Sequence, residues 1–316
     1  MLPPTRRGFD NLHTVFDVSP NSLPWCQQET ARLVYKGRIR DGRFGQLTPE
    51  AYEVLELERL RFGYLRPFPK IDYSDDSYRV AVNDSAAIEQ YFKLHTAQQP
   101  QYLALFQCYL KRGLTVADCG CGGGALLDLV KEETSGRTVA IEPFTGYHDS
   151  LKDRGHDVYP DVRQAVANGT ESGVDLALSF HVIEHVVDPV AYLTDIRRLV
   201  KPGGLAIVLT PNLADFLMSA DPERMMPFFY RRVHNYYFSA ESLAWVGRLA
   251  GWEPLRDIFY HEFGLSNALL WLRDGRPSGH ARLPCIDERV DVFWKRHLEA
   301  TRQSNNVGIV LRKPCE

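Results

Sequence analysis

Leu114-Thr-Val-Ala-Asp118-Cys-Gly120-Cys-Gly122-Gly123-Gly124-Ala125 decides the fold. An apolar run ends on a carboxylate, glycines crowd behind it, and Ala125 to Glu132 then reads as a helix. An apolar run of strand length bounded by glycine predicts a buried strand. Glycines at its tip let backbone approach a ligand closely and aim the free N–H groups of the helix end outward. Outward from this stretch the alternation recurs. Arg137-Thr-Val-Ala-Ile-Glu142 predicts a second strand, Asp157 to Tyr159 a short third, and Val174-Asp-Leu-Ala-Leu-Ser-Phe180 a fourth. A helix over Pro189 to Leu199 leads to a fifth, Gly204 to Thr210, and Pro254 to Tyr260 and Val307 to Arg312 complete the set. Strands alternating with helices predict an α/β, doubly wound fold: a sheet covered by helices on both faces.

Composition agrees and excludes several classes. The 316 residues are 44% hydrophobic and 24% charged, an ordinary globular balance that allows one core domain with sizeable extensions, or two domains. Lys+Arg 37 against Asp+Glu 40 gives a net charge of -3, which speaks against nucleic acid as a partner. Mean hydropathy is -0.28, and no apolar run approaches the roughly 18 residues of a membrane span. Behind the opening Met1-Leu-Pro-Pro-Thr-Arg-Arg-Gly-Phe-Asp10 no apolar segment follows, so a secretory leader is not expected. These features predict a cytoplasmic protein. Cysteines at 26, 108, 119, 121, 285 and 315 form no pair of C-x-x-C knuckles, so reduced thiols and no structural zinc are expected. Cys119 and Cys121 read as small thiols lining a tight turn.

Three regions are expected. Residues 1–85 form a helical N-terminal extension, a lid or homodimer contact; 86–263 with 304–316 form the core; 264–303 form a helical insert that caps the substrate. In the extension, Thr48-Pro49-Glu50 carries a helix-start signal, followed by a roughly helical stripe of Ala51, Leu55, Leu57, Leu60 and Leu65. A second helix spans Ala86 to Leu110, with Tyr91, Phe92, Leu103, Phe106 and Leu110 apolar, broken or kinked at Gln98-Gln-Pro100. The insert holds Leu269, Leu270, Trp271, Phe293 and Trp294. Trp25, Trp245, Trp252, Trp271 and Trp294 read as packing residues.

Glu142 closes the second strand 22 residues after Gly120. A carboxylate at the neighbouring strand tip suits the ribose hydroxyls of an adenosine-containing ligand. Gly120 to Ala125 also fits the G-x-G-x-x-A of dinucleotide oxidoreductases, so spacing alone leaves two classes open.

Longer motifs separate them. Val116-Ala-Asp118-Cys-Gly-Cys-Gly-Gly-Gly resembles the first motif of class I S-adenosylmethionine-dependent methyltransferases. Val174 through Phe180 to His181-Val-Ile-Glu184-His185-Val-Val-Asp188-Pro189 resembles their fourth-strand motif, and Leu199 to Asn212 their turn and fifth strand. His234-Asn-Tyr-Tyr-Phe238-Ser-Ala-Glu-Ser-Leu243 and Ala250-Gly-Trp-Glu253 are similar to a branch that includes the ubiquinone-biosynthesis and sugar or natural-product O-methyltransferases. The resemblance covers residues 105–260 and the terminal strand.

It implies a Rossmann-like, mostly parallel seven-stranded sheet whose last strand is antiparallel, with S-adenosylmethionine as cofactor. Asp118, Gly120, Cys121, Gly122 and Gly124 would form the cofactor loop, and Glu142 would bind the ribose. Asp161, after strand three, would reach the adenine amino group; Phe180 and His181 would pass close to the sulfonium. A hydroxyl acceptor must lose a proton, and His234 or His185 would take it, His234 by preference. His181-x-x-Glu184-His185 repeats the H-x-x-E-H spacing of some zinc peptidases, but those need a long helix and here the motif follows a strand. The ubiquinone branch carries an acid where His181 stands, and that trio is associated with a divalent ion. Because His181 breaks that carboxylate pattern, the expectation is that no metal is needed. The expected acceptor is a hydroxyl of a sugar, polyketide or quinone-like metabolite. A protein or RNA methyltransferase, an NAD-dependent oxidoreductase and a non-catalytic binding protein stand as alternatives.

Overall fold

The computed structural model describes residues 30–41, 46–69, 71 and 85–315, the helix over 85–95 by its backbone alone. Residues 1–29, with Trp25 and Cys26, and the side chains of Tyr91 and Phe92 lie outside the described residues.

The described residues open with β1 (Ala31–Gly37), a two-residue pair β2 (Arg40–Asp41) and β3 (Gln46–Leu47), then β4 (Tyr52–Leu57) and β5 (Phe62–Arg66). Helix α1 (Ser85–Phe106) leads to β6 (Val116–Cys119), α2 (Ala125–Thr134), β7 (Thr138–Ile141), α3 (His148–Asp153) and β8 (Asp157–Tyr159). Next come α4 (Val162–Ala165), β9 (Val174–Phe180), α5 (Pro189–Leu199) and β10 (Val200–Pro211). Two short helices, α6 (Phe216–Ala220) and α7 (Pro222–Phe229), precede β11 (Tyr236–Tyr237), α8 (Ala240–Leu249) and β12 (Glu253–Tyr260). The insert is helical, α9 (Leu265–Asp274) and α10 (Glu288–Ala300), and β13 (Asn306–Arg312) ends the chain.

Seven strands form one sheet in the order β12-β13-β10-β9-β6-β7-β8. β6 to β10 pair in parallel, and β13 inserts antiparallel to both β10 and β12. Alternate residues of each strand face opposite sides, and both sides are covered. Ala117, Val139, Ala177 and Val208 pack with Leu193, Ile196 and Val246 of α5 and α8 on one face. Val116, Leu176, Ile207 and Val310 pack with Phe106, Leu126 and Val130 of α1 and α2 on the other. The chain runs outward from β6 through β7 to β8, then returns to lay β9 and β10 on the opposite side. That reversal puts a switch point between β6 and β9, where ligands of open α/β sheets bind. Local sequence sharpens the boundaries: Asp188 accepts from the amides of Val190 and Ala191 at 2.9 and 3.0 Å, with Pro189 as first residue of α5.

The extension departs from the expected helix. Described residues around Thr48 to Leu65 form the hairpin β4–β5 in a four-stranded antiparallel sheet, β1-β4-β5-β11. Thr48 does not cap a helix: its hydroxyl accepts from the amide of Ile39 at 3.1 Å and donates to the carbonyl of Glu50 at 2.7 Å, closing a loop. Tyr52, Val54 and Leu57 are buried, as are Phe62 to Leu65, so both sides of the hairpin find cover. Helix α1 is not broken at Gln98-Gln-Pro100 and runs on through Pro100. One missing N–H does not end a helix of 22 residues whose Tyr102, Leu103 and Phe106 are packed into the core.

Candidate active site at the carboxyl edge of the sheet

The glycine loop leaves β6 with Gly120, Gly122 and Gly124 at φ 90, 54 and 80, the left-handed region that glycine occupies without a Cβ penalty. A Cβ at Gly120 would stand 2.3 Å from Val182 Cγ2. The loop is tied to β7: the amide of Gly120 donates to the Ile141 carbonyl at 2.7 Å. Glu142, fully buried, completes the tie. Its carboxylate accepts from the amide of Gly122 at 2.7 Å and from that of Phe144 at 3.0 Å. Asp118 lies beneath; burial, with the Glu142 carboxylate adding to it, pushes its carboxyl up to about 7. Cys119 is buried in the strand, where burial raises its thiol, and Cys121 is half-buried in the turn. The sequence therefore brings Asp118, Gly120, Cys121, Gly122, Gly124 and Glu142 together. Asp161 stands after β8 but is exposed and caps α4, accepting from the Gln164 amide at 2.8 Å.

Across the switch point, β9 ends at Phe180, whose ring meets Tyr102 and Phe106 edge-on at 5.6 and 5.9 Å. His181 follows with φ 58, an uncommon conformation for a residue with a Cβ. Its amide donates to the Leu209 carbonyl at 2.7 Å, and its Nε2 meets Tyr102 Oη at 3.1 Å. Residues after it turn rather than continue as a helix, so the peptidase reading of the H-x-x-E-H spacing lacks its scaffold.

Glu184 is buried beneath this turn, its Oε2 accepting from Thr210 Oγ1 at 2.9 Å. Its other oxygen, Oε1, has no hydrogen-bond partner among the described residues and faces His181 Nδ1 at 3.6 Å and His185 Nε2 at 3.9 Å. Burial raises the Glu184 carboxyl, but the neighbouring imidazoles outweigh it and hold the group below its ordinary value. His185 Nδ1 lies 2.6 Å from the Val233 carbonyl. That contact requires the proton on Nδ1. His234 enters from the segment after α7, its ring 4.8 Å from that of His185 and perpendicular to it. It is 3% exposed, and its Nδ1 has no partner among the described residues. Burial, then the Arg231 charge and His185, hold its imidazole well below the ordinary value; burial also lowers His185.

Ligand atoms of Glu184, His185 and His234 lie within 4.8 Å of one another. Sequence spacing had joined His181 to the Glu184–His185 pair; the structure adds His234, 49 residues on from His185. Packing explains the meeting. The amides of Asn235 and Tyr236 donate to the Glu184 carbonyl at 2.7 and 3.2 Å, and Asn235 Nδ2 donates to the His185 carbonyl at 2.9 Å. β11 is thereby pinned between this turn and β5 of the extension. Tyr102, which holds His181, went unread because it sits in α1 outside every motif.

The comparisons with known proteins fit this geometry. A family model described as a methyltransferase domain matches residues 91–256. A ubiquinone biosynthesis O-methyltransferase of Cereibacter sphaeroides is 33% identical over 153 residues, 45% of this chain and 62% of the relative. Its counterpart from Ruegeria pomeroyi is 32% identical over 155 residues, 45% of this chain and 61% of the relative. The chain thus spans about three-fifths of the length of the curated relatives it matches. A solved SAM dependent methyltransferase from Archaeoglobus fulgidus shares the fold at TM-score 0.50 and 16% identity, covering 73% of this chain and 100% of that one. Among the described residues no helix is long and apolar enough to cross a membrane. Of the two classes that the glycine spacing left open, the family match decides: the chain belongs to the methyltransferase-domain family.

Proposed function

We propose that this chain transfers a methyl group from S-adenosylmethionine to a hydroxyl of a small molecule. The observation that carries the reading is the clamp of Glu142 on the Gly122 and Phe144 amides, across β6 and the switch point from the turn after β9 that carries His185. Asp118, the Gly120–Gly124 loop and Glu142 would hold the cofactor, with Phe180 and His181 beside it. When bound, S-adenosylmethionine supplies an electrophilic methyl group. The chain's part is to align the acceptor, exclude water and receive a proton. His234, held neutral by its burial, is in the form that accepts one. The relatives, named for ubiquinone biosynthesis, favour a ring-bearing hydroxyl acceptor. The extension and the insert would cover the acceptor side, since β5 pairs with the β11 segment that follows His234.

One observation favours a second, metal-assisted reading. Glu184 Oε1 and His234 Nδ1 are both buried without a partner among the described residues, and Glu184 and His234 each offer a ligand atom within 4.8 Å of one on His185. Two imidazoles and a carboxylate suit zinc or a first-row ion better than magnesium. Such an ion would lower the pKa of a bound hydroxyl, and His234 would then be a ligand rather than a base.

The test is methyl-labelled S-adenosylmethionine offered with a panel of hydroxylated acceptors, before and after exhaustive chelation. Transfer that survives chelation supports the base, and loss recovered by one ion supports the metal. No transfer to any small acceptor, with transfer to protein or RNA instead, would overturn the small-molecule reading.

A further inference from the structure

Where the glycine loop meets α2 and α3 it joins a polar network separate from the Glu142 clamp. Arg154 stands at the end of α3, and its guanidinium is shared three ways. Nη2 donates to the Gly123 carbonyl at 2.5 Å, Nε to the Ser150 carbonyl at 3.1 Å, and Nη1 to Asp128 in the first turn of α2. The other Asp128 oxygen meets His156 Nε2 at 2.9 Å, and His156 Nδ1 meets Thr138 Oγ1 at 2.7 Å at the start of β7. A carboxylate held by a guanidinium only accepts, so the Nε2 proton is directed at Asp128. Lys131, one turn on in α2, fixes the backbone of the same corner. Its Nζ donates to the carbonyls of Arg154 and Gly155 at 2.7 and 2.8 Å.

Thr138, His156 and Asp128 have the order of a hydrolytic triad, hydroxyl to imidazole to carboxylate. Thr138 and His156 are 2% and 4% exposed, so no substrate reaches that hydroxyl. The network opens at its other end, on Gly123.

Gly123 is the exposed tip of the loop, and a Cβ there would meet nothing within 4 Å. Packing therefore does not fix this residue, and glycine loses more backbone freedom on ordering than any other. Its carbonyl is held by Arg154 through a charge-assisted bond, among the stronger kinds. The next residue is gripped from the same side: a Cβ at Gly124 would stand 2.4 Å from Leu151 Cδ2 and 3.3 Å from Arg154 Nη2. A loop ordered before its ligand arrives binds that ligand more tightly, because less freedom is lost on binding.

We propose that Arg154, oriented by Asp128 and through it by His156, is a positioning residue for the cofactor: it holds the Gly123 carbonyl and so pre-sets the loop; the inference rests on the transferase reading above. Calorimetry of the full chain with S-adenosylhomocysteine, paired with ligand-free unfolding in denaturant, tests it. Arg154→Met keeps the stem and removes the N–H groups, and affinity should fall at least tenfold in a chain that unfolding shows to be folded. Arg154→Lys can reach Gly123 or Asp128 but not both, and should recover part of that loss. With glycine labelled by ¹⁵N, ligand-free Arg154→Met should show microsecond-to-millisecond exchange at the loop glycines that wild type lacks, a change that a merely structural role would not produce. Affinity within twofold of wild type in folded Arg154→Met, a Lys variant no better than the Met variant, or equal exchange in both chains overturns the positioning role and leaves the transferase reading standing. Should Arg154→Met fail to fold, Asp128→Asn keeps the shape and loses the charge. Binding at least threefold weaker is expected there, and unchanged binding overturns the proposal. Wild type that takes up no S-adenosylhomocysteine overturns the transferase reading and the positioning role together.

Discussion

Two regions at the same sheet edge treat their polar groups in opposite ways. In the glycine loop, the amides of Gly120, Gly122 and Gly124 donate to Ile141, Glu142 and Cys121, so the turn is satisfied from within the chain. In the His185–His234 cluster, a carboxylate oxygen and an imidazole nitrogen are buried and unmatched. Buried groups left without partners are rare and call for an explanation. The contrast teaches a division of labour. The loop has its polar groups paired within the chain, and the cluster is completed by what arrives there: a proton, an ion or an acceptor.

The contrast breaks most visibly at His234. Replacing it by Ala should lower turnover by about 100- to 10,000-fold, the usual range for losing a general base, while cofactor affinity stays nearly intact. His185→Ala should do less. Steady-state rates within a few-fold of wild type for His234→Ala would make this histidine a packing residue.

On the loop side, Gly120→Ala adds a Cβ at φ 90 against Val182. Left-handed strain of roughly 1–2 kcal/mol and overpacking of roughly 1–3 kcal/mol should together destabilise the chain by about 2–5 kcal/mol. Gly123→Ala meets nothing within 4 Å and should unfold in denaturant near the wild-type midpoint. Similar losses at both positions would mean that close packing is not what the loop requires.

Glu142→Ala removes a charge-assisted acceptor shared by the loop and, on the proposed reading, by the ribose. It should weaken S-adenosylmethionine binding by about 1.5–3 kcal/mol. Unchanged affinity by calorimetry would detach Glu142 from the cofactor and leave it a clamp on the loop.

The smallest effect sharpens the other side. His234 is held well below its ordinary value, so below pH of about 6.5 the unfolded chain gains a proton that the folded chain refuses. Stability should fall as pH falls through that window, by up to about 1.4 kcal/mol per unit for this histidine. In His234→Gln that share disappears, while contributions from Asp118 and Asp215 remain in both proteins and cancel in the comparison. Denaturant unfolding at pH 7 and 5.5 reads the difference; parallel losses in both proteins would show that His234 is not held neutral.

How far the sequence could be read follows the same divide. Val174–Phe180 matches its strand residue for residue, because a strand buried on both faces is a nearly continuous apolar run; Asp157–Tyr159, half-buried at the edge of the sheet, matches as well. The glycine loop was legible because its chemistry is local. The β4–β5 hairpin was not: Leu55, Leu57 and Leu65 fit a helical stripe as well as two short strands, and Thr48 spends its hydroxyl on Ile39 and Glu50. Nor did any local signal place His234 beside His185, since long-range backbone bonds from Asn235 and Tyr236 to Glu184 make that contact. Trp271 and Trp294 read as packing, and only the folded insert shows their N–H groups left without partners.

Titration calorimetry of the full chain with S-adenosylmethionine, and separately with NAD, tests the central claim most directly. The account predicts one S-adenosylmethionine per chain, displaced by S-adenosylhomocysteine, and no heat from NAD. Tight NAD binding with no uptake of S-adenosylmethionine would contradict it.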